Sequence, residues 1–295
     1  MIPLQTDEAQ VLGRVLRWAE GVATVRAVIL ESSRAIPDAP RDALTDYDVA
    51  FLVTDPERWQ APGDWVRALG EPLLRVRDVV EVDGLPVQND MLLFADGVKI
   101  DCSFWPVAIA ARVAGRGTLP TEWDHGYRVL LDKDGLTAGW PGPTGNAYRL
   151  APPTSAEFQV AVEEFWWLCT YVAKNLWRGE LLTARVLFAY ELRHLILLRF
   201  VTWRIGIGSG WTARPGFFGR GVPALMGASL WDDWLASERS LSTADDLWIA
   251  LWRTIDLFRV LATGIAVDLA FLYSTDLDAT MVSYLRGIQH LPRSQ

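Results

Sequence analysis

Cysteine is scarce in this chain, with two residues, Cys102 and Cys169, in a length of 295. They stand far apart in apolar surroundings, so they read as small core residues of a reduced cytoplasm and leave no basis for a disulfide scaffold. Histidine is almost as sparse, and His125, His194 and His290 show neither triad context nor ligand spacing. Positive charge is in deficit: 28 Lys and Arg face 36 Asp and Glu, a net −8, which disfavours a nucleic-acid partner. A long uncharged apolar run is missing too. The nearest approach, residues 181–201, carries Arg185, Glu191, Arg193, His194 and Arg199, whereas a membrane span needs about 20 nearly uncharged residues. No basic stretch leads into an apolar one at the start, as a signal peptide would require. The expectation is a cytoplasmic protein with no membrane segment. What is present in quantity is core material, 51% hydrophobic with 15 Trp, enough for one large domain or two ordinary ones.

The chain changes character near residue 150. Before it, short β-branched runs alternate with turns; after it, long apolar–aromatic stretches follow helical spacing. Residues 135–153, rich in Gly and Pro, read as the linker. The expected domains are 1–150 and 151–295. In the first, Thr6 ahead of Asp7-Glu8 opens a helix with Val11, Leu12, Val15, Leu16 and Ala19 on its apolar face. Residues 25–30 and 49–53 read as strands, and residues 64–69 as a short helix. Asp96-Gly97 between apolar runs 91–94 and 98–104 predicts a two-residue hairpin turn with positive φ at both positions. In the second, Thr154 and Glu157 have capping-box spacing for a helix to about Arg178. Another helix is expected over 180–205, and Ser242 with Asp245 predicts a third reaching toward Leu272.

The chemistry concentrates in Ser32-Ser33-Arg34, followed by Asp46-Tyr47-Asp48 and later by Asp101. If residues 46–48 are extended, Asp46 and Asp48 project to one side, with Tyr47, Val49, Phe51 and Val53 on the buried other. Lys99, Asp101 and Ser103 likewise share one face of their strand. Three carboxylates on one patch would repel one another and raise some of their pKa values. A hard divalent cation with oxygen ligands resolves that conflict, and Mg²⁺ fits best. Serine hydroxyls and backbone N–H groups before the pair would hold phosphate oxygens.

These residues sit in uncommon strings. Residues 26–34, 45–49, 96–101, 130–134, 153–158, 163–167 and 171–174 together resemble the aminoglycoside 6-adenylyltransferases (streptomycin adenylyltransferases) of the DNA polymerase β-like nucleotidyltransferase superfamily. The resemblance implies an α+β chain: an N-terminal mixed-sheet nucleotidyltransferase domain, then a C-terminal helical bundle that binds the acceptor, with substrates between them. It implies Asp46, Asp48 and Asp101 as catalytic metal ligands, Ser32, Ser33 and Arg34 at the nucleotide, and Lys174 as a phosphate-contacting lysine. In the superfamily pattern glycine stands where this chain has Ser32, and relatives tend to have glycine where it has Asn175.

Glu163 and Glu164, ahead of Phe165-Trp166-Trp167, are candidates for a cationic acceptor group, with Trp167 against the sugar face. The bland alternative is solvated glutamates beside core tryptophans. Lys133 would approach phosphate or offset Asp132 and Asp134. The expected function is Mg-dependent transfer of AMP from ATP to an aminoglycoside hydroxyl, the 6-hydroxyl of streptomycin being favoured. Two rivals stand beside it. One keeps the chemistry and changes the acceptor, to another antibiotic, a metabolite, or a protein or tRNA hydroxyl. The other is a nucleotide-binding relative without catalysis, suggested by Ser32 and opposed by the retained aspartates.

Overall fold

The computed structural model describes residues 7–292 except 38, 62, 217, 218 and 239. It divides into two compact units, Met1–Ala147 and Tyr148–Gln295. The first holds a mixed six-stranded sheet and the second is helical, so the α+β architecture is as expected.

The first unit opens with α1 (Glu8–Gly21), capped by Asp7, whose carboxylate accepts from Ala9 N at 3.3 Å. Thr6, the expected opening residue, lies outside the described residues. Val11, Val15 and Ala19 form the buried stripe of α1. Lys133 closes its other end, donating from Nζ to the carbonyls of Ala19, Glu20 and Val22 at 2.8, 3.2 and 3.0 Å. Carbonyls at the C-terminal end of a helix lack their usual partners four residues on, so a terminal cation is well placed there. Lys133 is therefore a helix-closing residue, a role its acidic neighbours do not suggest.

The strands are β1 (Val25–Glu31), β2 (Tyr47–Val53), β3 (Pro72–Val82), β4 (Leu85–Phe94), β5 (Lys99–Pro106) and β6 (Tyr127–Asp132). Their order is β3-β4-β5-β2-β1-β6. β2 and β5 are parallel, while the other neighbours pair antiparallel. On one face, α1 and α3 (Pro56–Gln60) cover a core that includes Val28, Val49, Phe51, Ile100 and Phe104. Trp59 stacks on Phe104 with centroids 4.5 Å apart, and Trp18 meets Phe51 edge-on at 5.1 Å. On the other face, Ala27, Ile29, Ala50, Leu52 and Trp105 pack with α4 (Ala108–Arg116) and Trp123 of α5 (Thr121–Asp124).

The Asp96-Gly97 hairpin is where it was expected, but its turn is different. Of the two, Gly97 alone has positive φ, at 80°, and Gly97 N bonds Phe94 O at 2.9 Å while Phe94 N bonds Val98 O at 2.9 Å. That is a three-residue loop ending in a left-handed glycine. Both φ values are positive instead at Asp83-Gly84 (53° and 71°), the turn that joins β3 to β4. β3 itself has no counterpart among the expected strands.

In the second unit, α6 (Ser155–Arg178) begins at the expected capping box: Thr154 N donates to Glu157 Oε2 at 2.7 Å and Glu157 N to Thr154 Oγ1 at 3.2 Å. Residues 181–208 form one continuous helical run with an interior of π geometry, from α7 (Leu181–Val186) through Leu187–Leu197 to α8 (Leu198–Gly208). Short helices α9 (Val222–Met226) and α10 (Ala228–Ala236) lead to α11 (Ala244–Asp268) and α12 (Thr275–Gln289). The cap of α11 is Thr243 with Asp246, one residue beyond the expected pair. α11 stops at Asp268 because Ala270 turns left-handed (φ 55°) and Phe271 N reaches back to Ala266 O at 2.8 Å. Phe165, Phe200 and Phe258 centre the core of this unit. No described helix is long and apolar enough to cross a membrane.

Candidate active site

The site begins where β1 runs out. Burial and β-branched side chains keep residues 25–30 extended against the core. The strand ends in Glu31, and the chain then enters the single turn α2 (Ser32–Ala35). Ser32 makes that corner with φ 55°, in the left-handed region. The non-glycine residue at the expected glycine position thus takes the conformation glycine accepts most readily. Its hydroxyl lies close enough to the Asp48 carboxyl to lower that group's pKa.

Alternation along β2 sends Tyr47, Val49, Phe51 and Val53 into the α1-side core, leaving Asp46 and Asp48 for the other face. The parallel pairing sets Asp48 opposite Asp101 and Ala50 opposite Ser103. Burial raises the Asp48 carboxyl to about 6, the nearby Asp101 charge adds to this, and the Ser32 hydroxyl opposes it. Burial, and then the Asp46 charge, also hold Asp101 above the usual carboxylate range. Asp101 Oδ1 is buried without a hydrogen-bond partner. Asp46 instead accepts from Lys99 Nζ at 2.9 Å, and that bond pushes the lysine up.

Among the described residues, no three His, Cys, Asp or Glu side chains are gathered as a metal cluster. Two carboxylates face each other, and the third is held by Lys99. The donor set nevertheless suits a hard cation: all oxygen, mutually repulsive, with one buried oxygen lacking a donor.

Asp48 and Asp101 share a cavity of about 360 Å³ with Glu31, Ser103, Glu122 and Trp105. Glu31, which is 8% exposed, bonds the Trp123 indole N–H. Burial raises its carboxyl to about 8, against the indole bond and with help from the Asp48 charge. Glu31 was not among the expected site residues. Its signal was available, as a lone carboxylate ending an otherwise apolar strand just before the serines.

Arg34 was expected at the nucleotide, but its guanidinium is turned onto the protein. It stacks 3.7 Å from the Tyr47 ring centroid and bonds Asp46 O (3.0 Å), Thr45 O (2.6 Å) and Glu8 Oε2 (2.9 Å). Ser33 lies half-buried in α2.

The remaining expected residues are on α6, in the helical unit. Lys174 Nζ lies 4.5 Å from the Tyr171 ring centroid, and the following Asn175 is buried with its amide donating to Tyr171 O at 2.7 Å. Glu163, Glu164 and Trp167 line a groove of about 600 Å³ together with Glu191, Leu195 and Arg199. Trp167 is 62% exposed whereas Trp166 is 2% exposed. Glu164 takes a bond from Arg199 at 3.2 Å. Glu191 is a member that sequence spacing did not reveal, because it comes from the π-helical stretch.

A mixed sheet that aligns carboxylates on neighbouring parallel strands beside a serine-bearing corner defines the class: the chain is a nucleotidyltransferase. It belongs to the streptomycin adenylyltransferase family, whose family model matches residues 6–288. It is similar to the aminoglycoside 6-adenylyltransferase of Campylobacter jejuni, 29% identical over 90% of this chain and 91% of that one. The aminoglycoside 6-adenylyltransferase of Staphylococcus aureus is 32% identical over 69% of this chain and 71% of its own length. A solved aminoglycoside 6-adenyltransferase from Bacillus subtilis covers 97% of this chain and 100% of its own, at 25% identity and a TM-score of 0.48.

Proposed function

We propose that the protein transfers AMP from ATP to an aminoglycoside hydroxyl, the 6-hydroxyl of streptomycin, with release of pyrophosphate, and so confers antibiotic resistance. The observation that carries this reading is the register of Asp48 against Asp101 on parallel strands, next to Ser32 and with a buried oxygen in want of a donor. The names of its relatives support the acceptor class.

The acceptor oxygen bonds to the α-phosphorus as the bond to pyrophosphate breaks, leaving an AMP ester on the drug. Asp101 is the carboxylate we assign to take the hydroxyl proton. Asp48 and Asp101, joined by Asp46 when it exchanges Lys99, would hold Mg²⁺, which when bound supplies charge neutralisation at the phosphates. Ser32 and Ser33 hold triphosphate oxygens, and Lys174 contacts phosphate from α6. Most of the rate then comes from holding acceptor and phosphate in line. Residues 1–150 serve the nucleotide and residues 151–295 the acceptor.

Glu163, Glu164 and Glu191 would receive the cationic groups of the drug, and exposed Trp167 its sugar face. That wall, with a net charge of −8, favours a small cationic acceptor over nucleic acid. An ATP-consuming reaction on a drug aimed at the cell interior suits the cytoplasm. The test is pyrophosphate release from ATP and Mg²⁺ across an aminoglycoside panel. Release with streptomycin supports the reading, and silence with every member of the panel removes it.

A further inference from the structure

Arg34 is buried, at 8% exposed, and it stands behind the carboxylates. Its flat side lies on Tyr47, 3.7 Å from the ring centroid, and Tyr47 belongs to the α1-side core, the face of β2 opposite to Asp46 and Asp48. From there its fork reaches round the start of the strand. Nε bonds Asp46 O at 3.0 Å and Nη2 bonds Thr45 O at 2.6 Å, two consecutive carbonyls at the entrance to β2, immediately before Tyr47. Nη1 is tied at 2.9 Å to Glu8 Oε2 at the start of α1. Glu8 also draws Arg41 (3.6 Å) and Arg128 (3.5 Å), so its carboxylate is a fixed point shared by three guanidinium groups.

A planar guanidinium can meet two adjacent carbonyls and a carboxylate at once, and can stack while doing so. A lysine ammonium can do neither with the same geometry. The loop from α2 to β2 is closed over residues 42–45 by local bonds, Thr45 N to Asp42 O at 3.2 Å among them. Within it, Thr45 Oγ1 accepts from Asp42 N at 2.9 Å, and Asp42 Oδ1 accepts from Leu44 N at 2.8 Å. Arg34 fastens that compact turn to the strand and to α1, beside Arg41, whose guanidinium also reaches Glu8. We propose that Arg34 is a positioning residue that fixes the backbone of Thr45 and Asp46, and through it the carboxylates of Asp46 and Asp48, and that it does not bind ATP phosphate. The part of this concerning the reaction rests on the adenylyl-transfer reading above. The part concerning the loop does not.

The test compares Arg34→Ala, Arg34→Lys and Glu8→Gln with the full-length wild type. Amide hydrogen exchange over residues 42–47 is expected to speed up in both Arg34 variants and to a lesser degree in Glu8→Gln. Mg-ATP affinity by calorimetry is expected to stay within about threefold of wild type, since no phosphate contact is lost. In turnover, kcat is expected to fall by roughly 10²-fold in both Arg34 variants, the size of effect a 1 Å misplacement of reacting groups produces, with KM for ATP little changed. The proposal is overturned if Arg34→Ala weakens Mg-ATP binding tenfold or more and Arg34→Lys restores it, the behaviour of a phosphate ligand. Unchanged exchange at residues 42–47 overturns it as well. If Arg34→Ala does not fold, Glu8→Gln decides by the same readouts, because it removes one tether and leaves the guanidinium in place. A wild type that turns over no aminoglycoside would count against adenylyl transfer alone, since exchange and binding judge Arg34 without an acceptor.

Discussion

Asp48 and Asp101 stand opposite each other across the parallel pair of β2 and β5, and both carboxyls are held above the ordinary carboxylate range. Asp48 is raised to about 6, first by burial and then by Asp101. An arrangement so unfavourable electrostatically is retained where a function needs it.

Replacing Asp48 by Asn is therefore expected to separate activity from stability. Turnover should fall at least about a hundredfold, as removal of a group acting on the transition state does. In metal-free buffer at pH 8 the same change should raise Tm by a few degrees, about 2–4 °C for each kcal/mol of relieved repulsion in a chain of this size. Calorimetric melting of the two proteins side by side checks this; a lower Tm in Asp48→Asn contradicts it.

Ser32 combines a left-handed backbone with a hydroxyl close to the Asp48 carboxyl. Both Ser32→Ala and Ser32→Gly lose the hydroxyl, but Ser32→Ala keeps the unfavourable φ whereas Ser32→Gly relieves it, a gain of about 1 kcal/mol. Ser32→Gly should unfold at higher urea than Ser32→Ala. The reverse order would mean that the corner is not strained.

Glu31 links stability to pH. Its carboxyl ionises near 4.5 ordinarily and near 8 in the fold, so the fold holds a proton there that the unfolded chain releases. Stability from this group is fully present below about pH 4.5 and is lost as pH rises through about 8. Melting temperature measured between pH 6 and 8.5 should fall more steeply in wild type than in Glu31→Gln. Parallel profiles would exclude Glu31 as the source.

Trp166 and Trp167 are neighbours with opposite duties. Trp166 is in the helical core and Trp167 faces the groove with Glu163 and Glu191. Trp166→Ala should cost about 3–5 kcal/mol of stability, the usual loss for a buried aromatic. Trp167→Ala should leave stability within about 0.5 kcal/mol and raise KM for the aminoglycoside without altering KM for ATP. Urea denaturation and steady-state kinetics on both variants check the contrast, and an unchanged aminoglycoside KM would remove Trp167 from the acceptor groove.

The parts of this molecule that could be read beforehand are those where burial imposes a period. Val49, Phe51 and Val53 share the α1-side core through the two-residue period of a strand, and that same period puts Asp46 and Asp48 together. Thr154 and Glu157 announced α6 because a capping box is a local hydrogen-bond pattern. β3 was hidden because it is mostly exposed, so Arg75, Asp78 and Glu81 interrupt any apolar alternation. The α11 cap was misplaced by one residue because Ser242-Thr243-Ala244-Asp245-Asp246 offers the same spacing twice. Three members of the site depend on contacts far apart in sequence. Lys99 meets Asp46 only through the β2–β5 pairing, Glu31 is buried only when Trp123 covers it, and Glu191 reaches the groove from the π-helical stretch. Arg34 was in view from the start, yet its direction was not, because stacking on Tyr47 is decided by the fold.

The most direct measurement is pyrophosphate release on mixing the protein with ATP, Mg²⁺ and streptomycin, wild type against Asp48→Asn. The expected result is metal-dependent release by wild type and at least a hundredfold less by the variant, with AMP recovered as an ester of the drug. Equal release by both proteins, or none by wild type with any aminoglycoside, would contradict an adenylyl-transfer site built on Asp48 and Asp101.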